Sequence, residues 1–131
     1  MMKEKLLLDT HTLIWMDIES SKLSSRVAIL LQDKSNTLLL SVVSVWEMQI
    51  KHQLGKLKLN QPLVEMIKSQ QQINNIEILP VTLAHVFALQ NLPTPHKDPF
   101  DRLLVAQAIV EKAALISNDA VLAKYPVNVL W

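Results

Sequence analysis

A chain of 131 residues, half of them hydrophobic, 19% charged and with a formal net charge of +1, is long enough to bury a core of its own. Its charge is too balanced to advertise a surface that grips a polyanion through many phosphates. The absence of cysteine removes disulfides, thiolate nucleophiles and cysteine-based zinc sites, and the single glycine, Gly55, removes P-loops and dinucleotide fingerprints, which need several glycines at fixed spacing.

The elements follow in chain order. Residues 5–8 (KLLL) predict a buried strand that ends at Asp9; the apolar run is too short for a signal peptide and meets an acid at once. A helical turn over 12–16 and an amphipathic helix over 22–32 come next, then a strand over 37–41. A helix is expected from about Ser44 to Gly55, the residue that stops it, and another from Pro62 to about residue 72. A third strand covers 76–79 and a short helix 82–89. Pro93 and Pro95 enforce a loop, and the clearest helix of the chain spans 99–113. A fourth strand (114–117), a short helix (120–124) and an edge strand (127–130) complete the set. Aliphatic runs alternating with amphipathic stretches predict an α/β fold with a five-stranded parallel sheet, as one domain over residues 1–131. No apolar stretch approaches the ~20 residues of a membrane span, so a cytoplasmic protein is expected.

In an open parallel sheet, sites form beyond the carboxyl ends of the strands, where the strand order reverses. Four acids fall there. Asp9 ends the first strand and Asp119 follows the fourth; Glu47 lies in the first turn of the helix after the second strand, and Asp101 in the first turn of the helix that enters the fourth. Each has a purely structural explanation. Asp9 and Asp119 suit N-caps, Ser44-Val45-Trp46-Glu47 matches a capping box, and Asp98-Pro99-Phe100-Asp101 reads as N-cap, proline at N1 and acid at N3. Capping, however, does not require that every one of these be an acid. Carboxylates gathered on one rim repel, and only Lys97 and Arg102 are bases adjacent to any of them. A divalent cation offsets that repulsion, and hard oxygen ligands suit Mg2+ or Mn2+.

The ordered segments LLLDTHTLIW, SVVSVWE, HKDPFDRLLVAQA and LISNDAVLAKY resemble the PIN domain nucleases, and among them the VapC-type toxins of bacterial toxin–antitoxin pairs. The resemblance implies a three-layer α/β/α sandwich with a five-stranded parallel sheet and Mg2+- or Mn2+-dependent hydrolysis of RNA to a 5′-phosphate and a 3′-hydroxyl. It also implies pairing as a homodimer and a cognate antitoxin whose tail approaches the acids. The family's acidic quartet carries over to Asp9, Glu47, Asp101 and Asp119. Asp9 and Asp101 are assigned as direct metal ligands, with Glu47 and Asp119 completing the shell directly or through water. Thr10 and Asp98 support the site, with Asp98 mainly starting its helix; Ser117, where many relatives have threonine, and Asn118 stand beside the metal.

Arg102 is placed to hold a phosphate or to anchor a carboxylate. Lys51, Lys56 and Lys58 form, with His52, either a solvated basic face or a track for the RNA backbone. His11 and His96 lie near the site in sequence, but the histidines lack zinc-site spacing. Trp15 and Trp46 read as core or partner-groove anchors rather than stacking platforms, and Trp131 as packing beside the last strand.

Two other acid-rimmed folds fail on specific residues. A haloacid-dehalogenase-like phosphatase needs a second acid two residues after the first, where His11 stands; a receiver domain needs an aspartate ending the third strand, where IEILP has none. A non-catalytic interaction module of the same fold is the remaining alternative.

Overall fold

The computed structural model describes residues 3–93 and 98–131; Pro95, His96 and Lys97, which the sequence places in a loop beside the acids, lie outside them. The sheet consists of β1 (Lys5–Leu8), β2 (Thr37–Ser41), β3 (Glu77–Leu79), β4 (Ala114–Ile116) and β5 (Val129–Leu130). Its order is β3-β2-β1-β4-β5, and every pairing is parallel. The helices are α1 (Thr10–Ile18), α2 (Ser25–Gln32), α3 (Val42–Gln53), α4 (Leu63–Asn74), α5 (Leu83–Ala88) and α6 (Pro99–Glu111), with 3-10 turns at Ser20–Lys22, Leu89–Asn91 and Leu122–Lys124.

Side chains alternate across a strand, so a strand that is apolar at every position must be covered on both faces. Leu6 and Leu8 of β1 join Leu38, Leu40, Ile116 and residues of α1 to α4 in one core, whereas Leu7 joins Leu39, Leu115 and residues of α6 in the other. The result is the expected sandwich of helices, five-stranded parallel sheet and helices. Among the described residues no helix is long and apolar enough to cross a membrane.

Helix boundaries differ from expectation where a polar side chain chooses the start. Helix α1 begins at Thr10 because Asp9 caps it, and α2 at Ser25 because the Ser24 hydroxyl accepts from Val27 N. The capping box expected at Ser44 is not formed. Ser41 ends β2 and caps α3 by accepting from Val43 N at 3.0 Å, so strand passes into helix without a loop. Ser44 becomes an interior helical residue whose buried Oγ has no hydrogen-bond partner among the described residues, and Glu47 falls in the second turn rather than the first. Gly55, at φ 72°, closes α3 as expected, whereas 120–124 forms only the 3-10 turn.

Helix α5 is tied to α6 by a polar network that the sequence does not announce. His85 is fully buried. Its Nδ1 accepts from Thr82 N at 3.0 Å, which leaves the proton on Nε2 to be donated to Glu111 Oε2 at 2.9 Å. Gln107 Nε2 lies 3.3 Å from both His85 Nδ1 and Pro80 O.

Two consequences are measurable by urea unfolding. Glu111→Ala strands the buried His85 Nε2–H and should lower stability by about 1–3 kcal/mol. Asp98 Oδ1 accepts from Phe100 N at 2.9 Å and from Asp101 N at 3.3 Å, with Pro99 next to it at the helix start. Asp98→Ala should therefore cost about 1 kcal/mol, and Asp98→Ser should restore most of it.

Candidate functional site

Strand order places the site. The chain lays down β1, moves to β2 and β3 on one side, and returns to β4 and β5 on the other. The segments leaving β1 and β4 therefore diverge at their carboxyl ends and open a crevice. A cavity of about 210 Å3 lies there, lined by Asp9 from the end of β1, His11 and Trp15 from α1, and Asn118 and Asp119 after β4.

Asp9 is buried and held from two directions. Its backbone N–H extends the sheet by donating to Ile116 O at 3.1 Å. Its Oδ1 accepts from Thr12 N at 2.8 Å and lies 2.6 Å from Thr12 Oγ1, which is also 3.1 Å from Ile116 O. The hydroxyl has one proton, and the shorter, charge-assisted contact marks the carboxylate as its acceptor. Both bonds fall on Oδ1, so Oδ2 is uncommitted among the described residues. Thr12 is a positioning residue that the quartet pattern does not contain, although an aspartate with threonine three residues on is readable as a cap and its partner.

Asp119 is held similarly. Its backbone N–H donates to Ser117 Oγ at 3.0 Å, and its Oδ1 accepts from Val121 N at 2.9 Å, so the buried Ser117 hydroxyl shapes the loop that presents the acid. Glu47 is engaged at both oxygens: Thr10 Oγ1 donates to Oε1 at 2.6 Å, and Lys51 Nζ lies 3.1 Å from Oε2. Thr10 thus joins Glu47 to the segment that carries Asp9. Lys51, expected on a solvated face or an RNA track, is paired with Glu47. Lys56 and Lys58 are exposed beyond α3.

Asp101 is half-buried in the first turn of α6. Beside it Phe100 meets Trp46 edge-on at 5.0 Å between ring centroids, joining the α6 start to the helix that carries Glu47. Trp46 is 59% exposed, which corrects the core reading for that residue. Arg102 neither anchors a carboxylate nor reaches into the cavity among the described residues: its guanidinium donates to Pro93 O at 2.7 Å and Leu89 O at 3.4 Å, bracing the chain ahead of α6. Trp15 is half-buried, 5.8 Å from His11 and 5.6 Å from Trp131, which itself packs against the first core as expected.

The structure thus brings Asp9 and Asp119 to one cavity with Asn118, and connects Glu47 to them through Thr10. Among the described residues no three His, Asp or Glu side chains converge as a ready-made metal site. Like charges repel, and each of Asp9, Glu47 and Asp119 is turned toward a hydrogen-bond donor of its own. The donor chemistry fits a hard divalent cation nonetheless: Asp9 and Asp119 each bring an uncommitted carboxylate oxygen to the cavity, and no sulfur ligand lines it.

The sequence pattern of the PIN domain matches residues 6–128. Comparison with curated proteins gives no match. Among solved structures, the fold is similar to VapBC2 from Rickettsia felis bound to a DNA fragment from its promoter, with TM-score 0.73, 18% identity and coverage of 96% of this chain and 97% of that one. It is similar also to DNA-bound VapBC from Salmonella typhimurium, with TM-score 0.69, 14% identity and 97% of each chain covered. VapBC-1 from nontypeable Haemophilus influenzae gives TM-score 0.61, 16% identity and 96% of each chain. With 123 consecutive positions matched, from the middle of β1 to the threshold of β5, the chain belongs to the PIN domain family of nucleases.

Proposed function

We propose that this chain is a Mg2+- or Mn2+-dependent endoribonuclease acting as the toxin of a toxin–antitoxin pair. The observation that carries the reading is the cavity at the switch point, where Asp9 and Asp119 meet beyond the ends of β1 and β4. The family's nucleases generally use divalent metal ions, and the toxin role is supported by the fold shared with three VapBC structures.

When bound, a divalent cation supplies a water of lowered pKa and offsets charge developing on the phosphoryl oxygens. Asp9 and Asp101 would be its direct ligands, with Glu47 and Asp119 completing the shell directly or through water. Thr12 fixes the Asp9 carboxylate, so its lone pairs need no reordering as substrate enters. Glu47, held by Thr10 and Lys51, or the exposed Asp119 would act as the base toward the attacking water. Ser117 acts through the loop that carries Asp119. Lys56 and Lys58 add positive charge along the approach of the RNA backbone.

A cognate antitoxin and a second copy of the chain are the protein partners of this reading, in the cytoplasm. Exposed Leu83 and Phe87 on α5, 72% and 62% accessible, support such contacts.

The test is digestion of an RNA panel with and without Mg2+ or Mn2+. Asp9→Asn keeps the capping acceptor for Thr12 N and so keeps the fold. It should nonetheless lower cleavage by about two orders of magnitude or more, beyond the ~10–100-fold cost typical of outer-shell partners alone. Asp101→Asn should do the same, and undiminished cleavage by either variant would remove the quartet assignment. Millimolar Mn2+ should raise the wild-type melting temperature by roughly 2–8 °C, as expected for about 1–2 kcal/mol of linkage. An unchanged melting temperature in wild type, with no cleavage, is the result expected of a non-catalytic module.

A further inference from the structure

The acids occupy only part of the cavity at the switch point. Its remaining wall is aromatic: Trp15 and His11 line it, their ring centroids 5.8 Å apart, opposite a loop that presents the exposed amide of Asn118. We infer that this wall seats one unpaired nucleobase of the RNA, next to the scissile phosphate, with Trp15 and His11 as stacking surface and Asn118 reading the base edge. The inference rests on the nuclease reading and adds a base-selecting function to it.

Three features favour a nucleobase over other occupants. A volume of about 210 Å3 is below the ~300–1,000 Å3 of sites for drug-sized ligands and far from the long groove that a docked helix needs. A base is neutral, so it is not repelled by the two carboxylates that line the same cavity. An amide offers one donor and one acceptor side by side, the pattern that pairs with a base edge. Single-stranded RNA is recognised in this manner, by unstacked bases laid on aromatic rings with their edges hydrogen-bonded. Trp15 is itself held in place: Trp131 meets it edge-on at 5.6 Å, and Lys22 Nζ lies 5.7 Å from its ring centroid. Glu19, 3.7 Å from Lys22 Nζ, steadies that cation.

The experiment is a cycle between protein and substrate. A short single-stranded RNA with one cleavage site is made intact and with an abasic ribonucleotide at each position flanking the site. Base–aromatic stacking of ~1–3 kcal/mol corresponds to roughly 5- to 150-fold. In wild type, one of the two abasic substitutions should therefore lower kcat/KM by about tenfold or more. In Trp15→Ala and in the exposed His11→Ala, the intact substrate should be cut more slowly and the same abasic substitution should cost markedly less; Trp15→Phe should restore the wild-type sensitivity. Asn118→Ala should relax the nucleotide preference at that position. Equal abasic penalties in wild type and His11→Ala, or in wild type and a folded Trp15→Ala, overturn the inference. Abasic substrates cut as fast as intact ones by wild type overturn it also, while leaving the nuclease standing. A wild type that cuts no RNA with either metal removes the nuclease reading and this one with it.

Discussion

The arrangement depends on β1 being buried on both faces. Leu6, Leu7 and Leu8 are fully inaccessible, and β1 pairs with β2 on one side and β4 on the other, so these three residues meet no water on any side. Such a strand must stop where the first residue that needs a polar partner appears. That residue is Asp9. Its N–H is still in the sheet, bonded to Ile116 O at 3.1 Å, while its carboxylate is already at the helix start, bonded to Thr12. The end of the core and the beginning of the site are one residue, which is why the acid is both buried and positioned.

Capping and chemistry are often posed as competing explanations for an acid after a strand. Here they use different oxygens. Asp9 and Asp119 each give Oδ1 to backbone N–H groups and leave Oδ2 uncommitted among the described residues. A cap immobilises the carboxylate, and an immobilised carboxylate loses less entropy on binding a cation. Asp98 shows the other outcome: its Oδ1 is shared by two N–H groups of α6, and its place is explained by starting the helix that carries Asp101 one turn on. Two aspartates three residues apart thus differ in place: one caps the helix from outside and the other lies within its first turn.

The five strands and their parallel sense were legible in the sequence, as was the place of Asp9 and Asp119 after β1 and β4, because aliphatic runs and the acids that follow them leave a local signal. What was not legible depended on partners distant in sequence or on a choice between equivalent caps. Ser41 and Ser44 both suit an N-cap; only the absence of a loop after β2 decides for Ser41, and with it the turn on which Glu47 sits. His85 in LAHVFA reads as one polar residue of a short amphipathic helix. Its burial is decided by Gln107 and Glu111, 22 and 26 residues on, which supply the bonds that make burial tolerable. Arg102, beside an acid in sequence, is drawn instead to carbonyls at Leu89 and Pro93, which no spacing rule reveals. The aromatic wall of the cavity was missed for the same reason, since His11 and Trp15 meet Asn118 and Asp119 only through the return of the chain to β4.

The rim is therefore built in two halves with separate supports. One half, Asp9 and Asp119, hangs on the β1–β4 pairing and on the local bonds to Thr12, Val121 and Ser117. The other, Glu47 and Asp101, hangs on α3 and α6, joined by the Trp46–Phe100 contact at 5.0 Å. The 2.6 Å bond from Thr10 Oγ1 to Glu47 Oε1 links them. Thr10 follows Asp9 directly, so its hydroxyl transmits the position of the central strand to the helix beyond β2 with a single covalent step between the two acids' supports. Lys51 acts on the other oxygen of the same carboxylate, at 3.1 Å from Oε2, and offsets its charge. A carboxylate held between a hydroxyl and an ammonium keeps its geometry while both contacts remain exchangeable for water or metal, whereas the Asp9–Thr12 clamp, buried in the end of the core, is not. The fixed acid and the adaptable one are thus coupled through Thr10, which follows the first in the chain and donates to the second.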